Sequence, residues 1–163
     1  MSPHPRFNVL LTEDRPHAGE QHWTVQLPRL LQPHGIEAYV VGNGRAALHL
    51  AGRVAIHAAV IDLGTPLGHG CDDDPIAGHV HGSAGGLWLL ELLRRLPNQP
   101  PVVLLRKPAS SRKQAERLLR EALRLGAFSV LNKPVSLEEI LTVFQRVVER
   151  RYRGAWPIKS DHA

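Results

Sequence analysis

Short, nearly continuous apolar runs punctuate the chain at Phe7 to Thr12 (FNVLLT), Ala38 to Val41, Ala58 to Ile61, Val102 to Leu105 and Phe128 to Leu131. Runs of this length without polar alternation are what strands look like when both faces of a parallel sheet are covered. The segments between them carry helical spacing. Trp23, Leu27, Leu30 and Leu31 share one face, with Pro28 either kinking that helix or starting its second half. Ala46, Ala47 and Leu50 predict a short second helix, Leu87, Leu90, Leu93 and Leu96 a third, and Leu118, Leu119, Ala122 and Leu123 a fourth. The last is the clearest: Leu137, Ile140, Leu141, Phe144, Val147 and Val148 form one stripe, and Ser136 with Glu139 reads as a capping box at its start.

Strands alternating with helices imply βαβ units with right-handed crossovers and helices on both faces of the sheet. The expected fold is a single α/β domain, a doubly wound sandwich with five parallel strands and five helices. It spans 7–152, with a tail at 1–6 and another at 153–163. In such a sheet the functional crevice opens at the carboxyl ends of the strands. That rule selects Glu13 and Asp14, Asp62, Arg106 and Lys107, and Lys133. Two long connections follow strands that should line this crevice: Arg15 to Gln21, and an insert at about 64–86.

Composition narrows the function classes. Of 163 residues, 43% are hydrophobic and 21% charged, ordinary values for a chain that folds unaided. No apolar run approaches the roughly 20 residues that span a bilayer, and MSPHPRF does not look like a signal peptide, so a cytoplasmic address without membrane contact is expected. The single cysteine, Cys71, has no internal disulfide partner. A net charge of +5 raises the question of nucleic acid, but the basic residues are spread. One group (Arg112, Lys113, Arg117, Arg120, Arg124) lies along the fourth helix and another (Arg150, Arg151, Arg153, Lys159) near the C-terminus, with no helix-turn-helix segment and no RNA-binding aromatic motif. Nucleic acid is not an expected partner.

The strand ends carry the chemistry. Glu13, Asp14 and Asp62, gathered at neighbouring strand ends, would repel one another unless a cation neutralised them, and a hard divalent ion such as Mg2+ suits few carboxylates and several waters. Lys133, followed by Pro134, could bring an ammonium beside Asp62. A carboxylate flanked by a metal and a lysine is equipped to attack a phosphoryl group in line and form an aspartyl phosphate. Taken singly, an acidic pair after a strand is often a turn or cap, and Lys-Pro is a common dipeptide. Their joint order and topology carry the reading.

These residues resemble the receiver domains of two-component response regulators, which have a flavodoxin-like fold. VLLTED with Arg15 and Pro16 is similar to the family's first strand and acidic pair, and HAAVIDLGTP to its phosphoacceptor strand and loop. LGAFSVLNKP resembles the fifth strand with its lysine, NGRAAL the start of the second helix and GGLWLLELLRRL the third. The resemblance covers about residues 7 to 150. It implies Mg2+ bound by Glu13, Asp14, Asp62 and the backbone carbonyl of Gly64, phosphorylation of Asp62, and a phosphate contact from Lys133. It also implies a sensor histidine kinase or other signalling protein as partner, and dimerisation through the fourth and fifth helices and the strand between them. Such a domain is not an enzyme in the ordinary sense.

The sequence departs from the family at two coupled places. Arg106, with bulky Lys107 beside it, stands where a Ser or Thr hydroxyl bonds the phosphate, and Val130 stands where the family has a switch aromatic. Arg106 has three readings. It forms a charge-assisted fork with the phosphoryl group; it pairs with unphosphorylated Asp62, an attraction of roughly 4 kcal/mol at about 4 Å before desolvation; or it points to solvent. No output domain is read after the receiver-like segment, so the expected function is a stand-alone, atypical receiver in phosphorelay signal transduction that signals by protein contact. One alternative is a phosphorylation-independent pseudo-receiver locked by Arg106. Another is a metal sensor using the insert, which carries His69, Cys71, Asp72, Asp73, Asp74, His79 and His81, with His17 and His22 from the first long loop. Trp88, His49 and His57 are expected to be packing or border residues, and Trp156 to pack back beyond the last helix.

Overall fold

The computed structural model describes residues 6–13, 23–66 and 85–156. Strand β1 (Phe7–Thr12) leads to α1 (Trp23–Leu31), a short 3-10 turn (Gln32–His34) and β2 (Ile36–Val41). Then come α2 (Gly44–Ala51), β3 (Ala58–Asp62), α3 (Gly85–Arg94), β4 (Val102–Arg106), α4 (Arg112–Arg124), β5 (Ser129–Asn132) and α5 (Leu137–Tyr152). The strands form one sheet in the order β2-β1-β3-β4-β5, and every adjacent pair is parallel. This is the doubly wound sheet that the alternation of apolar runs and helical stripes implies. Strand ends shift by one or two residues from the apolar runs, because Asp62, Arg106 and Asn132 still pair although their side chains are polar.

Alternation along each strand divides the core in two. Val9, Leu11, Val60, Val103 and Leu105 pack with Leu27 and Leu31 of α1 and with Ile140, Phe144 and Val147 of α5. Leu10, Ala59, Ile61 and Leu104 pack with Ala47 of α2, Trp88, Leu89 and Leu93 of α3, and Ala122 of α4. Trp88 is thus a core residue, 8% exposed. Leu30 departs from the expected α1 stripe and is 46% exposed, because the helix runs on through Pro28 and Leu27 and Leu31 occupy its inward side.

Local signals set the helix starts. Asn43 accepts from the Ala46 amide and Ser111 from that of Gln114. Ser136 and Glu139 close a reciprocal capping box at α5, which occupies two otherwise orphaned donors. Beyond α5, Trp156 turns back onto Phe7, His57 and Tyr152, with ring centroids 5.7, 4.7 and 4.7 Å away. His57 stacks on Phe7, accepts from the Asn8 amide through Nδ1, and receives the Tyr152 hydroxyl on its carbonyl. No helix among the described residues is long and apolar enough to cross a membrane.

Candidate functional site

Strand β3 ends in Asp62, a carboxylate residue 3% exposed. It sits at the carboxyl edge of the sheet between β1 and β4, its neighbours in the strand order. The β1–β3 register sets Leu11 opposite Val60, and Glu13, also 3% exposed, follows Leu11 by two residues as Asp62 follows Val60. The β4–β5 register sets Arg106 opposite Asn132, one residue before Lys133. The Lys133 amide donates to the Arg106 carbonyl at 2.7 Å, which extends that ladder to the crevice rim. A cis Lys133–Pro134 peptide follows.

Lys133 Nζ donates to Asp62 Oδ2 at 2.5 Å, while the Gly64 amide donates to Oδ1 at 2.8 Å. Both carboxylate oxygens are therefore oriented, one by a full charge and one by the backbone of the following turn. Charge-assisted bonds of this kind are short and directional, and they fix the plane of the carboxylate at the rim of the crevice. Beneath the carboxylate lie two buried threonines. The Asp62 amide donates to Thr12 Oγ1 at 3.1 Å, Thr65 Oγ1 donates to the Asp62 carbonyl at 2.6 Å, and the two hydroxyls are 2.7 Å apart. The turn is tied further by the Thr65 amide on the Asp62 carbonyl and the Gly44 amide on the Pro66 carbonyl. Helix α3 abuts the same turn: a Cβ on Gly86 would lie 2.7 Å from both the Asp62 carbonyl oxygen and Leu63 Cα. Only glycine allows that approach.

The donor set fits a hard divalent cation. Glu13 and Asp62 are two buried carboxylate residues at the ends of adjacent strands, and their oxygens, with the Gly64 backbone carbonyl, are donors of the type that Mg2+ takes. Among the described residues no cluster of three His, Cys, Asp or Glu side chains is present. Asp14, the other carboxylate expected here, lies outside the described residues, as do His17, His22 and the insert's His69, Cys71, Asp72, Asp73, Asp74, His79 and His81.

No protein-family model matches the sequence. The curated protein "Regulatory protein AtoC" of Escherichia coli (strain K12) is 28% identical over 115 residues, which cover 71% of this chain and 20% of that protein. The chain thus spans about a fifth of the length of that relative. Among solved structures, the chemotaxis response regulator CheY4 of Vibrio cholerae superposes with a TM-score of 0.63 at 21% identity, covering 88% of this chain and 99% of that one. A CheY-like response regulator receiver domain protein from Methanospirillum hungatei JF-1 gives 0.65 at 17% identity, covering 92% of this chain and all of that one, 100%. The chain has the fold of response-regulator receiver domains.

Within this receiver fold, Arg106 takes neither of the unphosphorylated positions expected for it. Its Nε donates to Asn132 Oδ1 at 2.8 Å and its Nη1 to the Ala115 carbonyl at 3.0 Å. The cation bonded to Asp62 is Lys133, and Arg106 is half-buried against α4. Strand alternation is the reason: Arg106 shares the face of Leu104, where Ala122 of α4 packs. Thr12 and Thr65 are the site residues that the sequence reading passed over. Their signal is slight, a hydroxyl residue closing an apolar strand and another before Pro66, and each alone reads as an ordinary strand end or turn.

Proposed function

We propose that this chain is a phosphoryl-accepting receiver module whose acceptor is Asp62. One observation carries the reading: a buried carboxylate at the crevice end of a central strand, with Lys133 Nζ on one oxygen and the Gly64 amide on the other. In the reaction an Asp62 oxygen attacks phosphorus in line, a new P–O bond forms, and the bond to the donor breaks with its electrons leaving on the donor. The donor is a phosphohistidine of a sensor kinase or a small acyl phosphate. Lys133 lies where it can neutralise charge on the transferring oxygens. Glu13, Asp14, Asp62 and the Gly64 carbonyl would hold Mg2+, which supplies further neutralisation of the same charge.

Signalling then proceeds by protein contact and not by turnover of a substrate. The α4 and α5 side of the domain is the proposed contact face, supported by Leu119 and Leu123 of α4, which are 39% and 52% exposed. A second reading, a phosphorylation-independent binding module, is favoured by one observation: Arg106 occupies the usual hydroxyl position and its side chain is engaged with α4 and Asn132.

Intact-mass analysis after incubation with acetyl phosphate and Mg2+, beside Asp62→Asn, separates the two. A phosphoryl-sized gain that requires Asp62 is the expected result. No gain under conditions that modify an ordinary receiver would leave the binding module as the function.

A further inference from the structure

Thr12 and Thr65 form a directed bridge, and we infer that this bridge sets the Mg2+ affinity of the site by fixing the two segments that would donate to the ion. The direction of each bond follows from proton counting. The Asp62 carbonyl can only accept, so the single hydroxyl proton of Thr65 is committed to it. The 2.7 Å contact between the hydroxyls must therefore use the proton of Thr12. Thr12 Oγ1 in turn accepts from the Asp62 amide. The result is a closed ring running from the Asp62 N–H through both hydroxyls to the Asp62 carbonyl, with each hydroxyl donating once and accepting once.

Position gives the ring its role. The β1–β3 register runs to Leu11 and Val60, two residues short of Asp62, and beyond it a side chain takes part in joining the strands. The Thr12 hydroxyl takes the Asp62 amide in place of a ladder carbonyl. Glu13 follows Thr12 directly and Gly64 directly precedes Thr65, so the hydroxyl bridge joins the residues adjoining both oxygen donors. Thr12 and Thr65 are 0% and 1% exposed, which keeps water from competing for the bonds. Groups that orient metal ligands without touching the metal typically change affinity about 10–100-fold when removed. The threonines are positioning residues and act through Glu13, Asp62 and Gly64.

This inference rests on the proposed cation site, and the experiment keeps the two apart. Mg2+ titrations are followed by thermal shift without any phosphodonor, on the wild type, Thr65→Val, Thr12→Val and Thr65→Ser. Valine keeps the shape and removes the hydroxyl, and serine restores it. The expected result is a Mg2+ half-saturation raised about tenfold in either valine variant and restored in Thr65→Ser. Val148→Ala, a buried change in the C-terminal half of α5, should lower the melting temperature and leave the half-saturation in place, which separates positioning from general destabilisation. Wild-type half-saturation in the valine variants overturns the inference while leaving the cation site standing, as does a Thr65→Ser that behaves like Thr65→Val. A wild type that shows no Mg2+-dependent shift overturns the cation site and the inference with it. If one valine variant does not fold, the other decides.

Discussion

Replacing Gly86 with alanine sets two effects against each other. Gly86 lies in the first turn of α3, where alanine gains about 1 kcal/mol of helix propensity over glycine. Against this, the new Cβ would lie 2.7 Å from the Asp62 carbonyl oxygen and from Leu63 Cα, and 3.1 Å from the Leu63 carbonyl oxygen. Carbon contacts are relaxed at about 3.5–4.0 Å, so roughly 1 Å must be recovered. All three obstructing atoms belong to backbone, and no flexible side-chain end can swing aside. Either α3 lifts from the sheet or the turn after Asp62 shifts, and overpacking of this kind costs about 1–3 kcal/mol.

The steric cost should win. The expected outcome for Gly86→Ala is a lower Tm, by about 2–4 °C for each kcal/mol of net destabilisation in a domain of this size. Gly42→Ala is the control, because nothing lies within 4 Å of the added carbon there, and its Tm should stay close to wild type. Thermal unfolding by circular dichroism measures both. A Tm for Gly86→Ala at or above wild type would mean that propensity outweighs the clash and that the approach of α3 to the acceptor turn is not tight.

His57 predicts a pH dependence. Burial lowers its pKa below the ordinary 6.5, and its Nδ1 must stay unprotonated to accept from the Asn8 amide. The unfolded chain therefore binds the proton more readily, so stability from this residue is present above about pH 6.5 and is lost as pH falls below it. Urea unfolding at about pH 8 and about pH 5.5 should show the gap between wild type and His57→Gln narrowing in acid, and a constant gap would refute the assignment. Arg106→Leu removes the bonds to Ala115 and Asn132, a loss of about 1 kcal/mol for each bond, and should speed amide exchange in the first turns of α4 while leaving α5 unchanged. Unaltered exchange in α4 would show that the arginine does not secure that helix.

Much of this molecule was legible along the chain. Strands covered on both faces need apolar side chains on both faces, so FNVLLT and AAVID announce themselves without reference to anything distant. The capping box of Ser136 and Glu139 is as local, since both partners lie within one turn. The rule that crevices open at strand ends then picked out Glu13, Asp62 and Lys133, because a polar residue directly after a buried run has few other places to go. What the chain could not announce are the choices a side chain makes among partners far away in sequence. Arg106 was open to the phosphoryl group, to Asp62 or to solvent, and only the packing of α4 on the Leu104 face offered the Ala115 carbonyl. Trp156 and His57 meet because α5 ends beside the start of β1. Thr12 and Thr65 are 53 residues apart, and neither hydroxyl has a meaning until the sheet brings the end of β1 against the turn after β3. Burial of apolar surface is set by pattern and can be read locally, whereas a hydrogen bond depends on distance and direction, and tertiary structure alone sets those.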